Sequence, residues 1–225
     1  MTSPSGPDLP LLYQDDALVA VSKPAGLAVH RGLARDRVVA MGLVRDRLGR
    51  RVFPVHRLDR PTSGALLFAL DPVTARSLAG AFEAGAVAKR YLALVRGIAP
   101  GEAVIDHPVQ RRPDGPRVPA VTEIRRLAVW ERYSLVEAVP RTGRLHQIRR
   151  HLKHLSLPLI GDVKYGKGEH NRLFRERFGL HRLALHALEL RLAHPGTGEP
   201  LEIVAPVPDD LAGVLRALGM AAPSW

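Results

Sequence analysis

Apolar residues recur along the chain in short runs that are separated by turn-forming residues. Two such runs within 11–21 flank Gln14-Asp15-Asp16, which predicts a β-hairpin. A second hairpin is predicted where 183–192 and 201–204 flank a turn at 194–198. The other predicted strands are 65–70, 87–95, 103–105, 121–130 and 133–139, of which the last two are expected to pair.

Helical spacing and end signals predict four helices, over 38–48, from 72 to near 85, over 145–155 and over 209–218. Asp36 and Asp71 are the candidate N-caps, and Gly49 is the expected stop of the first helix. The Gly-rich, highly charged stretch 161–180 is predicted to be a long surface segment. Because the strands lie mostly in hairpins, the fold class expected is α+β with a mixed, largely antiparallel sheet.

Domain organisation is expected to be simple in a chain of 225 residues. Residues 1–10 are predicted to be a disordered tail and residues 11–225 a single domain, since the Pro/Arg loop at 110–119 is too short to link separate domains. No window has the length and apolarity of a membrane span, and the first residues lack the pattern of a secretory signal. These features predict a soluble, cytoplasmic protein.

Composition narrows the chemistry further. The chain has no cysteine, which excludes disulfides, thiolate nucleophiles and cysteine-based metal sites. Its formal net charge is +11, which favours a polyanionic partner and raises the expectation of nucleic-acid binding.

The first candidate site is the segment HRLDRPTSG at 56–64, in which Asp59 is a lone carboxylate among cationic side chains. The proline after Arg60 favours extended backbone there, and the following Thr-Ser-Gly forms a tight turn before an apolar strand. Neighbouring guanidinium groups favour an ionised Asp59, which suits a nucleophile or base. The alternative interpretation is a surface aspartate paired with an arginine, which contributes little to stability.

The second candidate is Tyr91, in the strand predicted over 87–95. Strict alternation places Tyr91 on the same face as Lys89, Ala93 and Val95, where it could stack on a base or handle a proton. A strand aromatic that simply packs on a neighbour is the alternative.

The third candidate is the segment RTGRLHQIRRH at 141–151. The helix predicted over 145–155 has one apolar seam, formed by Leu145, Ile148, Leu152 and Leu155. Arg149 directly follows Ile148, so it is expected to border this buried seam. A buried guanidinium needs a carboxylate partner, for which Asp59 is the candidate. Arg144, Arg150 and Lys153 would face outward, where they could contact phosphates. The alternative is a solvated basic helix face, which is the usual case for such a segment taken alone.

Two further patterns are rejected. The segment 161–168 matches GxxxxGK, but Gly168 stands where a phosphate-binding loop needs Ser or Thr, and no clear helix is predicted to follow. His151 and His154 share a helix face but lack a third ligand. No metal site is therefore expected.

In combination, five segments of the chain occur in an order that resembles the RluA-type pseudouridine synthases. These segments are HRLDRPTSG, KRY, RTGRLHQIRRHL, PLIGD and RLALHA. The resemblance runs from about residue 11 to about residue 207, and it is greatest to the branch that modifies uridine 65 of tRNA. It implies a mixed, largely antiparallel central sheet flanked by helices, with no S4 domain, no cofactor and no metal.

The resemblance also implies roles for individual residues. Asp59 corresponds to the catalytic aspartate, Tyr91 to the tyrosine that stacks on the uracil, and Arg149 to the arginine that pairs with the aspartate. The expected RNA-contacting residues, which lie in or beside the same motifs, are Arg57, His56, Arg60, Arg144, Gln147 and Leu185.

The expected activity is an isomerase, an RNA pseudouridine synthase that acts on tRNA as a monomer, with no DNA or membrane partner. A large-subunit ribosomal RNA synthase of the same family is the first alternative, because Tyr165 stands where the tRNA branch more often has His. A non-catalytic basic RNA-binding module is the second.

Overall fold

The computed structural model describes residues 6–31, 36–111 and 115–220. In chain order its elements are β1 Leu11–Gln14, β2 Leu18–Lys23, α1 Ala40–Leu48, β3 Phe53–Pro54, β4 Ser63–Ala69, α2 Pro72–Glu83, β5 Ala88–Arg96, β6 Glu102–Asp106, β7 Val109–Gln110, β8 Arg117–Val118, β9 Val121–Trp130, β10 Tyr133–Pro140, α3 Gln147–His154, α4 Gly168–Phe178, β11 Leu185–Ala193, β12 Pro200–Val204 and α5 Asp209–Ala217. They form two compact units. Unit 1 comprises Met1–Ala88 and Ala187–Pro206, and unit 2 comprises Lys89–His186 and Val207–Trp225.

Unit 1 is built on strands in the order β1-β2-β4-β11, with β3 added to β4 and β12 to β11. The pairs β1–β2, β2–β4, β3–β4 and β11–β12 are antiparallel. Every residue of β4 is buried, which explains why this strand is a continuous apolar run rather than an alternating one. Leu78 of α2 joins the strand residues in one hydrophobic cluster, and burial of such side chains contributes about 1.5–3 kcal/mol each.

Unit 2 contains a strand order of β5-β10-β9-β6, in which all pairs are antiparallel. Its two faces carry separate hydrophobic clusters because side chains alternate along β5. Leu92 and Leu94 pack in a cluster that includes residues of α4 and α5, whereas Ala93 and Val95 pack with Ile148 and Leu152 of α3. The helix α3 therefore lies on the sheet face opposite α4 and α5.

The expected α+β class with a largely antiparallel sheet flanked by helices is confirmed, as are both predicted hairpins. Asp71 caps α2 as predicted, because its carboxylate accepts the backbone N–H groups of Val73 and Thr74 at 2.8 and 2.9 Å. No helix in the described ranges is long and apolar enough to cross a membrane. That residues 11–225 form a single domain stays a prediction.

Several local predictions are wrong. The N-cap of α1 is Val39 rather than Asp36, whose carboxylate instead lies 3.1 Å from the Arg60 guanidinium. The segment 161–180 is not merely a surface stretch, because it contains α4, whose Phe174 is fully buried. The predicted loop at 110–119 takes part in a small antiparallel hairpin of β7 and β8, whose residues 112–114 lie outside the described ranges.

The predicted tail at 1–10 is described from Gly6 onward. Leu9 is buried, and the Pro10 carbonyl accepts the backbone N–H of Ser22 at 2.8 Å. Contacts with the folded chain therefore begin before Leu11.

Candidate active site

Asp59 lies in a tight turn of unit 1 between β3 and β4. Its carbonyl oxygen accepts the backbone N–H of Thr62 at 3.0 Å, which closes the turn over Arg60 and Pro61. The carbonyl of Arg60 accepts the backbone N–H of Gly26 at 2.8 Å, so a second turn supports the first. The half-buried Asp59 side chain is thus carried on a rigid backbone at a strand-to-loop edge, where functional side chains tend to be located.

Lys23 links the same two turns by hydrogen bonds. It was not among the predicted site residues. Its side chain is fully buried, and its Nζ donates to the carbonyls of Pro24 and Leu27, both at 2.8 Å, and of Arg60 at 3.3 Å. A buried ammonium group requires several acceptors to offset the loss of water. Its position next to Pro-Ala-Gly was the available signal, because a lysine that ends an apolar strand at a turn can reach the carbonyls of that turn.

The predicted turn at Thr62-Ser63-Gly64 is wrong, because the turn is closed between Asp59 and Thr62 and the next two residues already belong to β4. Gly64 instead allows the start of β4 to lie close to β11. Its φ is +120°, and a Cβ at this position would lie 2.1 Å from the carbonyl oxygen of Ala187. Because both the backbone conformation and the close approach of β11 exclude a side chain, glycine is required here. The turn therefore leads directly into a closely packed strand.

The cationic neighbours of Asp59 differ in their surroundings. Arg57 is exposed. Arg60 is held by the Gly26 carbonyl at 2.9 Å and by the Asp36 carboxylate at 3.1 Å. His56 points inward, where its Nε2 accepts the backbone N–H of Leu67 at 2.9 Å. Its ring therefore takes the place of a backbone carbonyl acceptor beyond the end of β3.

Tyr91 lies on β5 of unit 2, half-buried, on the face that carries the α3 cluster. The predicted alternation is therefore observed, since Arg90 lies on the other face, where its guanidinium bonds the Glu137 carboxylate. Lys89 is buried, and this burial lowers the pKa of its ammonium group. Leu185 of β11 belongs to the hydrophobic cluster against which Tyr91 packs.

The loop before α3 is shaped by Gln147, which is 4% exposed. Its Nε2 donates to the Val121 carbonyl and the Thr122 hydroxyl, both at 2.9 Å. Its Oε1 accepts the Thr142 hydroxyl at 2.7 Å and the Arg144 backbone N–H at 3.0 Å. All four hydrogen-bonding positions of this amide are therefore used inside the protein, and Gln147 shapes the loop rather than offering free groups to RNA.

Arg144 itself is exposed, and its Nε donates to the Pro119 carbonyl at 3.2 Å. His146, which caps α3, has φ 54° and ψ 27°, a left-handed conformation that is uncommon for a residue with a Cβ. Such strained residues occur most often at functional sites.

Arg149 is 5% exposed and forms a bidentate ion pair with Asp162, which is 2% exposed. The Arg149 Nε donates to Oδ2 at 2.8 Å and its Nη2 to Oδ1 at 2.9 Å. Burial by itself raises the pKa of Asp162, but the guanidinium and the N–H groups of Tyr165 and Lys164 reverse this effect and hold the pKa below its usual range. A buried arginine with a carboxylate partner was correctly predicted, but the partner Asp162 was not.

The structure thus brings the predicted residues together in two groups. The first group lies between β3 and β4 of unit 1 and consists of His56, Arg57, Asp59 and Arg60. The second group lies in unit 2, with Tyr91 and Leu185 on strands and Arg144, Gln147 and Arg149 in α3 and the loop before it. The pairing of Arg149 with Asp59 stays a prediction.

The GxxxxGK match at 161–168 is followed by α4, so the expectation that no helix follows is wrong. The missing hydroxyl at Gly168 still argues against a magnesium-binding phosphate loop. Across the described ranges, no group of three or more His, Asp or Glu side chains is arranged to hold a metal ion.

Comparison with known proteins identifies the family. A family model described as RNA pseudouridylate synthase matches residues 17–154. The chain belongs to this family. It is 47% identical to tRNA pseudouridine synthase C of Salmonella typhi over 94% of this chain and 90% of that protein. It is 43% identical to tRNA pseudouridine synthase C of Vibrio cholerae over 94% of this chain and 96% of that protein.

Solved structures agree with this assignment. The structure titled Human RNA Pseudouridylate Synthase Domain Containing 4 has a TM-score of 0.79 and 28% identity, over 95% of this chain and 94% of that one. A second human structure, RNA Pseudouridylate Synthase Domain Containing 1, has a TM-score of 0.77 at 28% identity, over 92% and 87% of the two chains. The predicted family and the predicted class of enzyme, an isomerase, are confirmed.

Proposed function

We propose that this protein converts a uridine of tRNA, at position 65, to pseudouridine, with Asp59 as the catalytic carboxylate. The observation that carries the proposal is the 43–47% identity with tRNA pseudouridine synthase C proteins across at least nine-tenths of this chain and of theirs. The net charge of +11 suits an RNA substrate.

The reaction exchanges one bond for another. The N1–C1′ bond of uridine breaks, the detached uracil turns, and a C5–C1′ bond forms. The proton on C5 leaves to solvent and N1 gains a proton, so substrate and product are isomers. No redox step or external group is needed for this balance.

Asp59 has two chemically consistent roles in this scheme. Its carboxylate oxygen can bond C1′ as the uracil leaves, and C5 then displaces it. Alternatively it can take the 2′ proton while the N1–C1′ bond breaks, which gives a glycal to which C5 adds as the proton returns to C2′.

The other proposed site residues serve binding. Tyr91 would hold the detached uracil by stacking, a contact worth about 1–3 kcal/mol per base. Arg149 would brace Asp59, while Arg57 and Arg60 would contact the neighbouring backbone. Their charge helps to offset the few kcal/mol that extrusion of a base from its stack costs.

The test uses RNA transcripts that carry tritium at C5 of uracil, because formation of the C5–C1′ bond releases that tritium to water. Release is expected from a tRNA transcript, and it should be lost when the base pair containing uridine 65 is replaced. Release from large-subunit ribosomal RNA alone would establish the first alternative activity. Binding of both RNAs without any release would overturn the enzymatic proposal.

A further inference from the structure

Tyr165 is the centre of a group of cationic side chains in unit 2. Its hydroxyl group is 3.1 Å from the His146 Nδ1 and accepts the Arg150 Nε–H at 3.1 Å. The charged groups of Arg150, Lys153 and Lys164 lie 5.9, 5.9 and 5.6 Å from the centre of the Tyr165 ring. We call these five residues the Tyr165 cluster.

The positive charge of this cluster is not balanced by carboxylates. In the described part of the chain, Arg150, Lys153 and Lys164 form no ion pair, whereas the nearby Asp162 is buried against Arg149. Contacts of a cation with an aromatic ring are worth about 0.5–1 kcal/mol at exposed sites. Repulsion between the three cations around one ring opposes this stabilisation. Such an arrangement of unbalanced positive charge is typical of a surface that binds an anion.

Arg150 is oriented in advance for such a ligand. Its Nε bonds Tyr165, and its Nη1 donates to the Gln110 carbonyl at 2.6 Å. No other described residue accepts a hydrogen bond from its remaining Nη2. Because the side chain is already fixed in place, less conformational entropy is lost when it binds a phosphate oxygen. Lys153 and Lys164 are exposed and can contact neighbouring phosphates.

The cluster also adjoins the buried ion pair of Arg149 and Asp162. The Arg149 guanidinium lies 5.1 Å from the centre of the same Tyr165 ring. We propose that the Tyr165 cluster binds phosphates of the substrate RNA. This inference rests on the proposed function, because it takes the RNA phosphodiester backbone as the anion.

The experiment measures the dissociation constant for tRNA between about 0.05 and 0.4 M KCl. Each phosphate contact contributes about 0.7–0.9 to the slope of log affinity against log salt, or about 5- to 8-fold in affinity at 0.1 M salt relative to 1 M. We expect Arg150→Gln, Lys153→Gln and Lys164→Gln each to reduce the slope by this amount. The triple variant should lose about 100-fold or more in affinity at 0.1 M salt.

The matched control is Arg216→Gln, which removes an exposed arginine of α5 on the opposite face of the unit 2 sheet. It should keep the wild-type slope. Lys153→Arg and Lys164→Arg retain the charge and should also keep it. Tyr165→Phe removes the hydroxyl group but keeps the ring and all three charges, so its slope should stay within experimental error of wild type.

A wild-type slope in the triple variant would overturn the proposal, as would an equal loss of slope in Arg216→Gln. The proposed function fails separately, because wild-type protein would then release no tritium from tRNA whatever the slopes are. The unfolding midpoint of each variant, measured in urea, shows whether a change in affinity reflects loss of the fold.

Discussion

Asp162→Asn removes the carboxylate that neutralises the buried Arg149. The two oxygens of Asp162 receive four hydrogen bonds, two from Arg149 and one each from the backbone N–H groups of Lys164 and Tyr165, all between 2.8 and 3.0 Å. Asparagine has the same shape, but its NH₂ group must face one of these donors. Breaking a buried ion pair costs about 3–5 kcal/mol. Because asparagine retains one oxygen as an acceptor, we expect the loss of unfolding free energy to be at the lower end, about 3 kcal/mol.

Urea unfolding, followed by tryptophan fluorescence, measures this loss. With a slope of about 2 kcal/mol per M, a loss of about 3 kcal/mol lowers the midpoint by about 1.5 M. The control is Glu123→Gln, which breaks the exposed ion pair with Arg141 and should cost less than about 1 kcal/mol. Equal losses of unfolding free energy in Asp162→Asn and Glu123→Gln would refute the argument that burial makes the Arg149 pair important.

Two further predictions concern stability. Gly64→Ala should cost at least about 2 kcal/mol, because it combines strain at positive φ with a clash against the Ala187 carbonyl. Gly26→Ala, at φ +86° with nothing within 4 Å, should cost only about 1 kcal/mol from backbone strain, and equal losses would exclude the clash as the cause. Burial lowers the pKa of His151, whose Nδ1 contacts the Thr122 hydroxyl at 2.9 Å. A histidine that stays neutral when folded contributes stability above its ordinary pKa of about 6.5, and this contribution is lost as the pH falls below that value. The unfolding free energy should therefore decrease from about pH 7.5 to 5.5 less in His151→Asn than in wild type, and equal decreases would contradict the prediction.

Much of the fold was predictable because its local signals agree with the tertiary structure. Alternation of side chains along β5 correctly separated Tyr91 from Arg90, and the Asp-Pro pair correctly marked the start of α2. The physical cause is short-range in both cases. For β5 it is the two-residue period of a strand, and for α2 it is the need to satisfy the four free N–H groups at the start of a helix.

The errors occurred where long-range contacts outweigh local pattern. The helix α4 is mostly polar along its sequence, and it is anchored by Phe174 in a cluster with residues of β5, β10 and α5. Asp162 was missed as the partner of Arg149 because their thirteen-residue separation carries no periodic signal. The available clue was the apolar run at 157–160, which indicates that the following Gly-Asp enters the interior.

The central claim is that the Asp59 carboxylate carries the isomerisation. Its most direct test compares tritium release from tRNA by wild-type protein and by Asp59→Asn, with Asp46→Asn, which removes an exposed carboxylate paired with Arg45 in unit 1, as the matched control. Wild type and Asp46→Asn should release tritium at equal rates, whereas Asp59→Asn should bind tRNA with wild-type affinity and release none. Sustained release by Asp59→Asn would contradict the claim.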